Sequence, residues 1–481
     1  MPKLVSHRYV TRICLGLLTL FLSPACPAVE YEVGPGKACA EIEDVPWEAL
    51  RAGDTVTIHW RENPYPAKFV LCARGTRDQP IQVRGVPNSQ GLLPVIDGRN
   101  AVTRKELNYW NEVRGVIKIG GANRPSDTTP AYITMENLDI RSARPPYEFT
   151  GRDGRTPYSG NAAAIFIEKG EFITIRGCVL RESGNGLFIA AETKDAVVEG
   201  CYIHDNGIEG SYYQHNTYTA AAGLIYQFNR FGSLRPGCGG NNLKDRSAGL
   251  VVRYNWIEDG NRQLDLVDAE DSEHLRSDPR YRSTYVYGNV LIEHEGEGNS
   301  QIVHYGGDSG KTEWYRKGTL YFYHNTVVST REGNTTWFRL STNDEQAECW
   351  NNIVYVTTDG GRLALMTESG TLNLGRNWIK SGWVATHDAL AGRITGTANL
   401  LRGLNPGFMD MENQDFRLEE NSPGVDQAVE LPDPLRAEHP IEWQYVPHQR
   451  REKRPEDGHL DLGAMEAPEP PETRVRTEFL K

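Results

Sequence analysis

Short runs of alternating apolar and polar residues recur along the chain, and six of them end at an Asn that a second apolar run follows. The alternation predicts strands with one buried side, because successive side chains of a strand point to opposite faces. The Asn residues lie 26, 34, 36, 27 and 25 positions apart. They are Asn229, Asn255, Asn289, Asn325, Asn352 and Asn377.

Two cysteines extend the series toward the N-terminus. Cys178 and Cys201 lie 23 residues apart, and 28 more residues lead to Asn229. A step of 23 or more predicts a coil of three short strands, with loops inserted into a turn of the longer units. Such coils stack into a parallel β-helix, in which the repeated Asn side chains hydrogen-bond to one another and to the turn backbone. The alternative is an antiparallel β protein with Asn-rich turns, although hairpins favour Asn-Gly, which is absent at these sites.

Composition narrows the class of protein further. The 481 residues include 48 Gly and 27 Pro, which would interrupt helices too often for a helix bundle. The 22 Tyr, 13 Phe and 10 Trp are enough to build a core, so the chain is not disordered. The formal charge of −12 argues against a nucleic-acid partner.

The N-terminus has the pattern of a secretory signal peptide. Lys3, Arg8 and Arg12 precede a short apolar run, and small residues and prolines follow up to Ala28. The run is too short to span a bilayer, so we expect no stable membrane insertion. The sequence therefore predicts a periplasmic or secreted monomer with cleavage after Ala28.

The remaining chain is interpreted as one domain. Residues 1–28 form the signal peptide, 29–467 a single β-helix and 468–481 a polar C-terminal tail. Six cysteines follow residue 28 and none forms a C-x-x-C pair, so a zinc site is not indicated. Export permits disulfides, and Cys39 with Cys72 is the first pair to test.

Three stretches resemble a known family. The chain is similar to right-handed parallel β-helix proteins of the pectate-lyase type, particularly the secreted polysaccharide-degrading branch, over roughly residues 30–467. The resemblance implies the fold more strongly than the reaction, because the family includes lyases, hydrolases, epimerases and adhesins. The first and last turns that carry it, on either side of the Asn series, are residues 47–58, 79–85, 94–98, 415–418, 422–426 and 461–466.

The strands that follow the long turns stack on one another, and the alternation of their side chains predicts a column that faces outward. Rungs of a β-helix lie about 4.8 Å apart, so Tyr218, Lys244 and Asp265 should be neighbours, with Arg246 on the same face as Lys244. The longest loops flank these rungs, and loops on a rigid scaffold are where clefts form. In stack order the column is Lys118, Phe166, Phe188, Tyr218, Lys244, Asp265, His304 or its neighbour, and Arg339.

The chemistry that fits this column is β-elimination on a uronic acid polymer. The reaction needs a cation to neutralise the carboxylate and a base to remove the adjacent proton. The segment with Lys244 and Arg246 is similar to the one that bears the catalytic Lys in alginate and chondroitin-B type lyases. Residue type favours Lys244 as base and Arg246 as neutralising cation. Counting positions back from Asn255 instead places Arg246 where the family has its catalytic Lys, which would make Arg246 the base and Lys244 the neutralising cation. The alternative is a solvated pair bonded to Asp245 and Asp265.

Other residues are candidates for parts of the same site. His215 with Tyr218 is an alternative acid/base pair, in which Tyr218 protonates the leaving oxygen, and His304 is a further catalytic candidate. Four carboxylates within seven residues predict Ca²⁺ beside the substrate, unless they form a solvated acidic loop paired with arginines. These carboxylates are Asp265, Asp268, Glu270 and Asp271. The aromatic residues considered for stacking on sugars are Tyr212, Tyr213, Phe188, Trp314 and Trp256, the last assigned to the core.

We therefore predict a secreted lyase that cleaves an acidic polysaccharide. The first alternative is a glycoside hydrolase on the same fold, which uses Asp265 with Asp268 as its paired carboxylates. The second is a non-catalytic carbohydrate-binding surface protein.

Residues 306–312 imitate a phosphate loop, but only three residues separate the two glycines where four are needed, and no helix pattern follows.

Overall fold

The structure is a computed structural model that describes residues 27–296, 298–455 and 458–468. The predicted signal peptide up to residue 26 and the tail from residue 469 lie outside the described residues. Within the described ranges, no helix has the length and apolar character needed to cross a membrane. Secretion, location and the monomeric state stay predictions.

The chain folds as a parallel β-helix, as its period predicts. Each coil places one strand on each of three faces, and the strands of one face pair in parallel from coil to coil. We call these the first, second and third face, in the order 243–245, 248–253 and 256–258 within one coil. Two long strands, Ala163–Arg176 and Asn185–Glu199, bend from the first face into the second and join them into one sheet.

The strands of the first face carry the outward column. Besides the first halves of the two long strands, they are Ala67–Leu71, Gly115–Ile119, Thr217–Thr219, Leu243–Asp245, Leu264–Leu266, Gln301–Tyr305, Thr335–Leu340 and Leu363–Met366. The second face adds Glu30–Val33, Thr55–His59, Ile81–Val86, Ala131–Glu136, Ala222–Gln227, Ala248–Arg253, Ser283–Tyr287, Thr319–Tyr323, Gln346–Trp350, Thr371–Leu374 and Arg393–Thr395.

The third face is a separate sheet of 11 strands. They are Val95–Asp97, Asp139–Arg141, Val179–Arg181, Tyr202–His204, Arg230–Phe231, Trp256–Glu258, Val290–Glu293, Thr326–Ser329, Ile353–Val356, Trp378–Lys380 and Leu401–Gly403.

Short elements decorate the coils and close the C-terminal end. Val102–Thr103 pairs with Ala67–Leu71, and four antiparallel pairs are Asn108–Tyr109 with Ala122–Arg124, Glu148–Gly151 with Gly154–Pro157, Phe408–Asp410 with Asp415–Leu418, and Trp443–Val446 with Arg450–Lys453. The α-helices are Glu273–Ser277 and Asp433–Glu438. The 3₁₀ helices are Ile42–Asp44, Trp47–Ala49, Glu112–Arg114, Pro279–Arg282, Thr312–Trp314, Gly360–Arg362 and Thr397–Asn399.

The core fills the inside of the coil with stacked apolar side chains. On the first face, Leu243 lies opposite Leu264, which lies opposite Val303, and Phe338 follows. All four are fully buried. Each such side chain contributes roughly 1.5–3 kcal/mol relative to the exposed state. Because inward and outward positions alternate, the packing of these residues holds their neighbours on the outer surface.

Buried Asn side chains line the corner between the second and third faces. Asn255 Nδ2 donates to Asn289 Oδ1 at 3.0 Å, and Asn289 Nδ2 donates to Asn325 Oδ1 at 3.0 Å. The same Oδ1 atoms accept the backbone N–H of the preceding Asn. The residue before Asn229, Asn255, Asn289, Asn325 and Asn352 turns the chain with a positive φ, as at Tyr254 (φ 55°) and His324 (φ 50°). The amide column therefore supplies partners to buried turn backbone that no strand can reach.

Cys39 and Cys72, the first pair to test for a disulfide, are not bonded to each other. All six cysteines after residue 28 lie in the described residues, and all are free thiols. Cys39 pairs with Val33 through a backbone β-bridge in the N-terminal segment. Cys72 directly follows the first-face strand Ala67–Leu71 and is buried beside Gly120. Burial raises the pKa of Cys72 to about 12, so it is an inert thiol at neutral pH.

Candidate active site

A cleft of about 460 Å³ lies on the first face, over the rungs where the sequence predicts a site. Its floor follows the predicted column, and three loops form its walls. The pairing register confirms every step of that column, including His304. The catalytic candidates that line the cleft are His215, Tyr218, Lys244, Arg246 and His304.

Lys244 is an ion-paired cation at the centre of the floor. Its Nζ donates to Asp265 Oδ2 at 2.7 Å and to Asp308 Oδ2 at 2.5 Å. Burial lowers the pKa of Lys244, but the carboxylates of Asp265 and Asp308 outweigh it and hold this pKa above the ordinary lysine value. Lys244 is therefore protonated at neutral pH in this state, and a protonated amine does not act as a base.

Arg246 lies beside Lys244 and shares the same carboxylate. Its Nη2 contacts Asp308 Oδ1 at 3.0 Å and Glu270 Oε1 at 2.9 Å, and its Nη1 donates to the carbonyl of Asp268. One oxygen of Asp308 thus faces Lys244 and the other faces Arg246. The two cations form a cradle that holds one carboxylate between them through charge-assisted hydrogen bonds, which are roughly twice as strong as neutral ones.

Tyr218 has a hydroxyl proton that the site leaves unused. Its Oη accepts a hydrogen bond from Arg246 Nε at 2.8 Å, and arginine has no acceptor for the tyrosine proton. No acceptor for this proton lies among the side chains and backbone that the structure describes. Burial raises the pKa of Tyr218, and Arg246 and Lys244 only partly offset this effect. Tyr218 is therefore a protonated phenol that points its donor at the cleft.

His215 is a neutral imidazole with a defined tautomer. Its Nδ1 accepts the backbone N–H of Asn241 at 2.8 Å, so the ring proton is on Nε2. Burial, together with the charge of Lys244, lowers the pKa of His215 to about 3. His215 therefore offers the cleft a hydrogen-bond donor, whereas a base would need a free lone pair at Nε2.

His304 lies in a hydrogen-bonded relay within the floor of the cleft. Its Nδ1 contacts Asp265 Oδ1 at 2.7 Å, and its Nε2 contacts Ser341 Oγ at 2.9 Å. Burial lowers the pKa of His304, and only 3% of its side chain is exposed. Because both ring nitrogens have partners, His304 orients Asp265, which in turn orients Lys244.

The four carboxylates predicted to hold Ca²⁺ are not brought together as a ligand set. Asp265 and Glu270 are paired with Lys244 and Arg246, respectively. Asp268 is buried and accepts backbone N–H groups from the loop that contains Asp308, and Asp271 is exposed. In the described parts of the chain, no three His, Cys, Asp or Glu side chains form a metal-binding group. The donor set does not fit Ca²⁺, because two of its carboxylates are paired with protein cations and a third is held by loop backbone.

Two arginines at the first face have guanidinium nitrogens without a hydrogen-bond partner among the described residues. Arg339 lines the cleft, is exposed, and has no hydrogen-bond or ion-pair partner in ranges 27–296, 298–455 and 458–468. Farther along the face, Arg114 lies 4.6 and 4.5 Å above the rings of Phe166 and Phe188. Its Nε and Nη2 are buried without a partner in these same ranges. Arg114 does not line the cleft, so Arg339 is the arginine of this pair that could meet a second negative charge of a ligand there.

Exposed tyrosines form the rim of the cleft. Tyr212 and Tyr213 are 69% and 83% exposed, the two most exposed large aromatic side chains of the described residues. Both come from the loop that precedes His215, as the sequence predicts for sugar-stacking residues. Trp256 is buried in a second core with Phe416 and Tyr445, as predicted.

Asp308 is the site residue that sequence reasoning missed. It lies 64 positions from Lys244, in a Gly-rich loop whose sequence imitates a phosphate loop. The run Gly306-Gly-Asp308-Ser-Gly310 does mark an acidic residue on a loop of small residues at the end of a column strand. That pattern is the feature of the sequence that could have identified Asp308 as a site residue.

Comparison with known proteins leaves the reaction open. No protein-family model and no curated protein matches the chain. Three similar solved structures are an alginate lyase from Paenibacillus sp. str. FPU-7 (12% identity, 77% of this chain, 99% of that chain, TM-score 0.45), pectate lyase Pel9A (10%, 92%, 97%, 0.48) and a GH136 lacto-N-biosidase from Eubacterium ramulus (12%, 78%, 68%, 0.45). At these values the likeness carries no argument about substrate or mechanism.

Proposed function

We propose that this protein is a lyase that cleaves an acidic polysaccharide by β-elimination. The observation that carries the proposal is the cradle of Lys244 and Arg246 around the carboxylate of Asp308. A cleft whose two central cations already bind a carboxylate has the chemistry to bind the carboxylate of a uronic acid. The exposed rings of Tyr212 and Tyr213 at its rim have the chemistry to stack on sugars.

In this mechanism the cations make the substrate more acidic. The uronate carboxylate replaces Asp308 between Lys244 and Arg246, and Arg339 lies three rungs farther along the same column. Loss of the proton next to this carboxylate spreads negative charge onto its oxygens. Cations in a cleft with little water stabilise that charge far better than solvent does, which lowers the barrier to proton removal.

Tyr218 is assigned the proton transfers. The tyrosinate form, stabilised by Arg246, takes the proton next to the carboxylate, and the electrons of that C–H bond form the new double bond. The bond to the leaving glycosidic oxygen breaks, and the phenol returns the proton to that oxygen. His215 Nε2–H donates a hydrogen bond to the sugar. Lys244 is assigned to charge neutralisation, since it is protonated in this state.

The hydrolase alternative has less support from the site. Its predicted partner Asp268 is fully buried and bonded to loop backbone, so it does not reach the cleft. Asp308 would be the available partner of Asp265. However, cations hold the pKa of both carboxyls below the ordinary aspartate value, so neither carries the proton that a general acid must donate.

The deciding experiment measures which product forms. The protein without residues 1–28 is incubated with alginate, pectate and glycosaminoglycans, with and without a chelator. We expect the ultraviolet absorbance of an unsaturated product, unchanged by the chelator. New reducing ends without that absorbance would instead support hydrolysis. Binding without either product would support a carbohydrate-binding protein.

A further inference from the structure

A second cavity, of about 310 Å³, lies on the second face, away from the strands that carry the cleft. Its floor is made of outward side chains from the strands Ser283–Tyr287, Thr319–Tyr323 and Gln346–Trp350. Its wall is the C-terminal segment with the helix Asp433–Glu438, whose Leu435 is buried against the coil. The cavity is therefore a fixed feature formed where the chain folds back over its own coil.

Aromatic rings make up much of the floor. Tyr285 and Tyr321 occupy the same position on consecutive rungs, and their rings stack 5.2 Å apart at an angle of 11°. Glu348 takes that position on the following rung, and Trp350 lies two residues later on the same outward side. The column thus places a carboxylate directly after two stacked rings and next to a third.

The charge of this cavity is negative. Glu348 is half-buried, and its carboxylate accepts one hydrogen bond, from Asn373 Nδ2 at 2.7 Å. Burial raises the pKa of Glu348, which is the mark of a carboxylate without a cation beside it. Glu438 adds a second carboxylate at the mouth, and none of the described residues that line the cavity is Lys, Arg or His.

The arginine of the wall helix Asp433–Glu438 does not supply a cation for Glu348. Arg436 is exposed and pairs with Glu430 and with Asp433 Oδ1. It lies outside the set of residues that line the cavity. The charge of Glu348 is thus left for a ligand to balance.

We propose that this cavity binds a small organic cation, an ammonium group on an apolar body such as a trimethylammonium compound. Aromatic faces attract such cations through their ring quadrupoles, and nearby carboxylates add Coulombic attraction. A neutral sugar could stack on the same rings but would leave the carboxylate charge unbalanced. An anionic sugar would be repelled. The proposal does not depend on the activity of the cleft, which lies on another face.

The test uses choline and its uncharged carbon isostere, in which a tert-butyl group replaces the trimethylammonium group. Binding is measured by calorimetry and by saturation-transfer NMR on the protein without residues 1–28. We expect saturable choline binding, at least about tenfold tighter than binding of the isostere. Glu348→Gln should weaken choline binding about tenfold. Glu62→Gln, which changes an exposed carboxylate near the other end of the coil, should leave it unchanged.

Three results would overturn the proposal. Equal binding of choline and the isostere would make the cavity an apolar pocket without charge selectivity. Binding of glucose in place of choline would make it a neutral-sugar site. Absence of choline binding by the wild-type protein would show that the cavity takes no such cation. Circular dichroism on each variant checks that the fold is intact.

Discussion

Tyr218 is the residue on which the proposed reaction depends most. Its oxygen is held by Arg246 Nε, so the ring is oriented, and no protein acceptor among the described residues retains the hydroxyl proton that must leave to form the tyrosinate. A general acid or base contributes about 10²–10⁴-fold to a rate. We expect Tyr218→Phe to lower kcat by that range with little change in melting temperature, because the ring and its stacking on Phe188 remain.

The pH profile separates this role from a structural one. Because burial raises the pKa of Tyr218, the tyrosinate is a minor species near neutral pH. The rate of the wild-type protein should therefore increase as pH rises above neutrality. Tyr218→Phe should lose that increase. A kcat that stays at the wild-type value in the variant would remove Tyr218 from the mechanism.

Asp308 gives a second prediction at this scale. Its carboxylate occupies the cradle and would repel an incoming uronate, although Lys244 and Arg246 attract both. Asp308→Asn should lower KM for an anionic polymer about threefold to tenfold, since like charges in a cleft of low dielectric repel strongly. Glu313→Gln, an exposed carboxylate outside the cleft, is the matched control. A higher KM in Asp308→Asn would mean that Asp308 contacts the substrate directly.

At the scale of elements, the Asn column joins the turns of neighbouring coils. Asn289 Nδ2 donates to the carbonyl oxygens of Val252 and Tyr287 as well as to Asn325, and all these groups are buried. Leaving a buried polar group without a partner costs about 1–3 kcal/mol. Asn289→Ala should therefore lower the melting temperature by several degrees.

The control for this prediction is an Asn outside the column. Asn123 is exposed and makes a single long hydrogen bond of 3.5 Å to Asn108. Asn123→Ala should change the melting temperature by less than a degree or two, because surface substitutions are usually near neutral. Equal effects of the two substitutions would show that the column does not stabilise the turns.

At the scale of the whole molecule, a buried lysine links stability to pH. Lys68 Nζ donates to the carbonyl oxygens of Glu112 and Gly115 and lies 3.5 Å from the ring centre of Phe149. Burial lowers the pKa of Lys68 to about 7. Between that value and the ordinary lysine pKa, the unfolded chain binds more protons than the folded one. Stability therefore rises with pH across this interval, by at most about 1.4 kcal/mol per pH unit.

Thermal melts at several pH values test this linkage. Between pH 7 and 9 the melting temperature of the wild-type protein should gain more than that of Lys68→Met, which cannot titrate. The comparison uses the difference in slope, because the variant also loses the two hydrogen bonds of Lys68. Parallel slopes would show that Lys68 keeps an ordinary pKa in the folded protein.

Much of the fold could be predicted from the sequence. The alternation of apolar and polar residues and the steps between the Asn residues indicate parallel coils, and the register of the first face agrees at every rung from Lys118 to Arg339. These features are local and periodic. A one-residue shift would turn a whole strand inside out, so the hydrophobic pattern alone determines which side chains face outward.

The protonation states of the site could not be read in the same way. Lys244 looks like a base on residue type alone, and becomes a cation because Asp265 and Asp308 both contact it. The acidic run from Asp265 to Asp271 looks like a metal site, and instead divides among ion pairs, backbone hydrogen bonds and solvent. Each outcome depends on which partner lies within about 4 Å, and a pattern of residue types does not contain that distance.

The sequence by itself thus determined the coil, the outward column and the place of the cleft, because strand alternation and coil length are repeated in every unit. Only the tertiary structure decided which carboxylate occupies the cradle, which proton is free and where a second cavity forms. Those features come from loops and from the C-terminal segment, which have no period. Their positions follow from long-range contacts such as the one between Asp308 and Lys244, 64 residues apart.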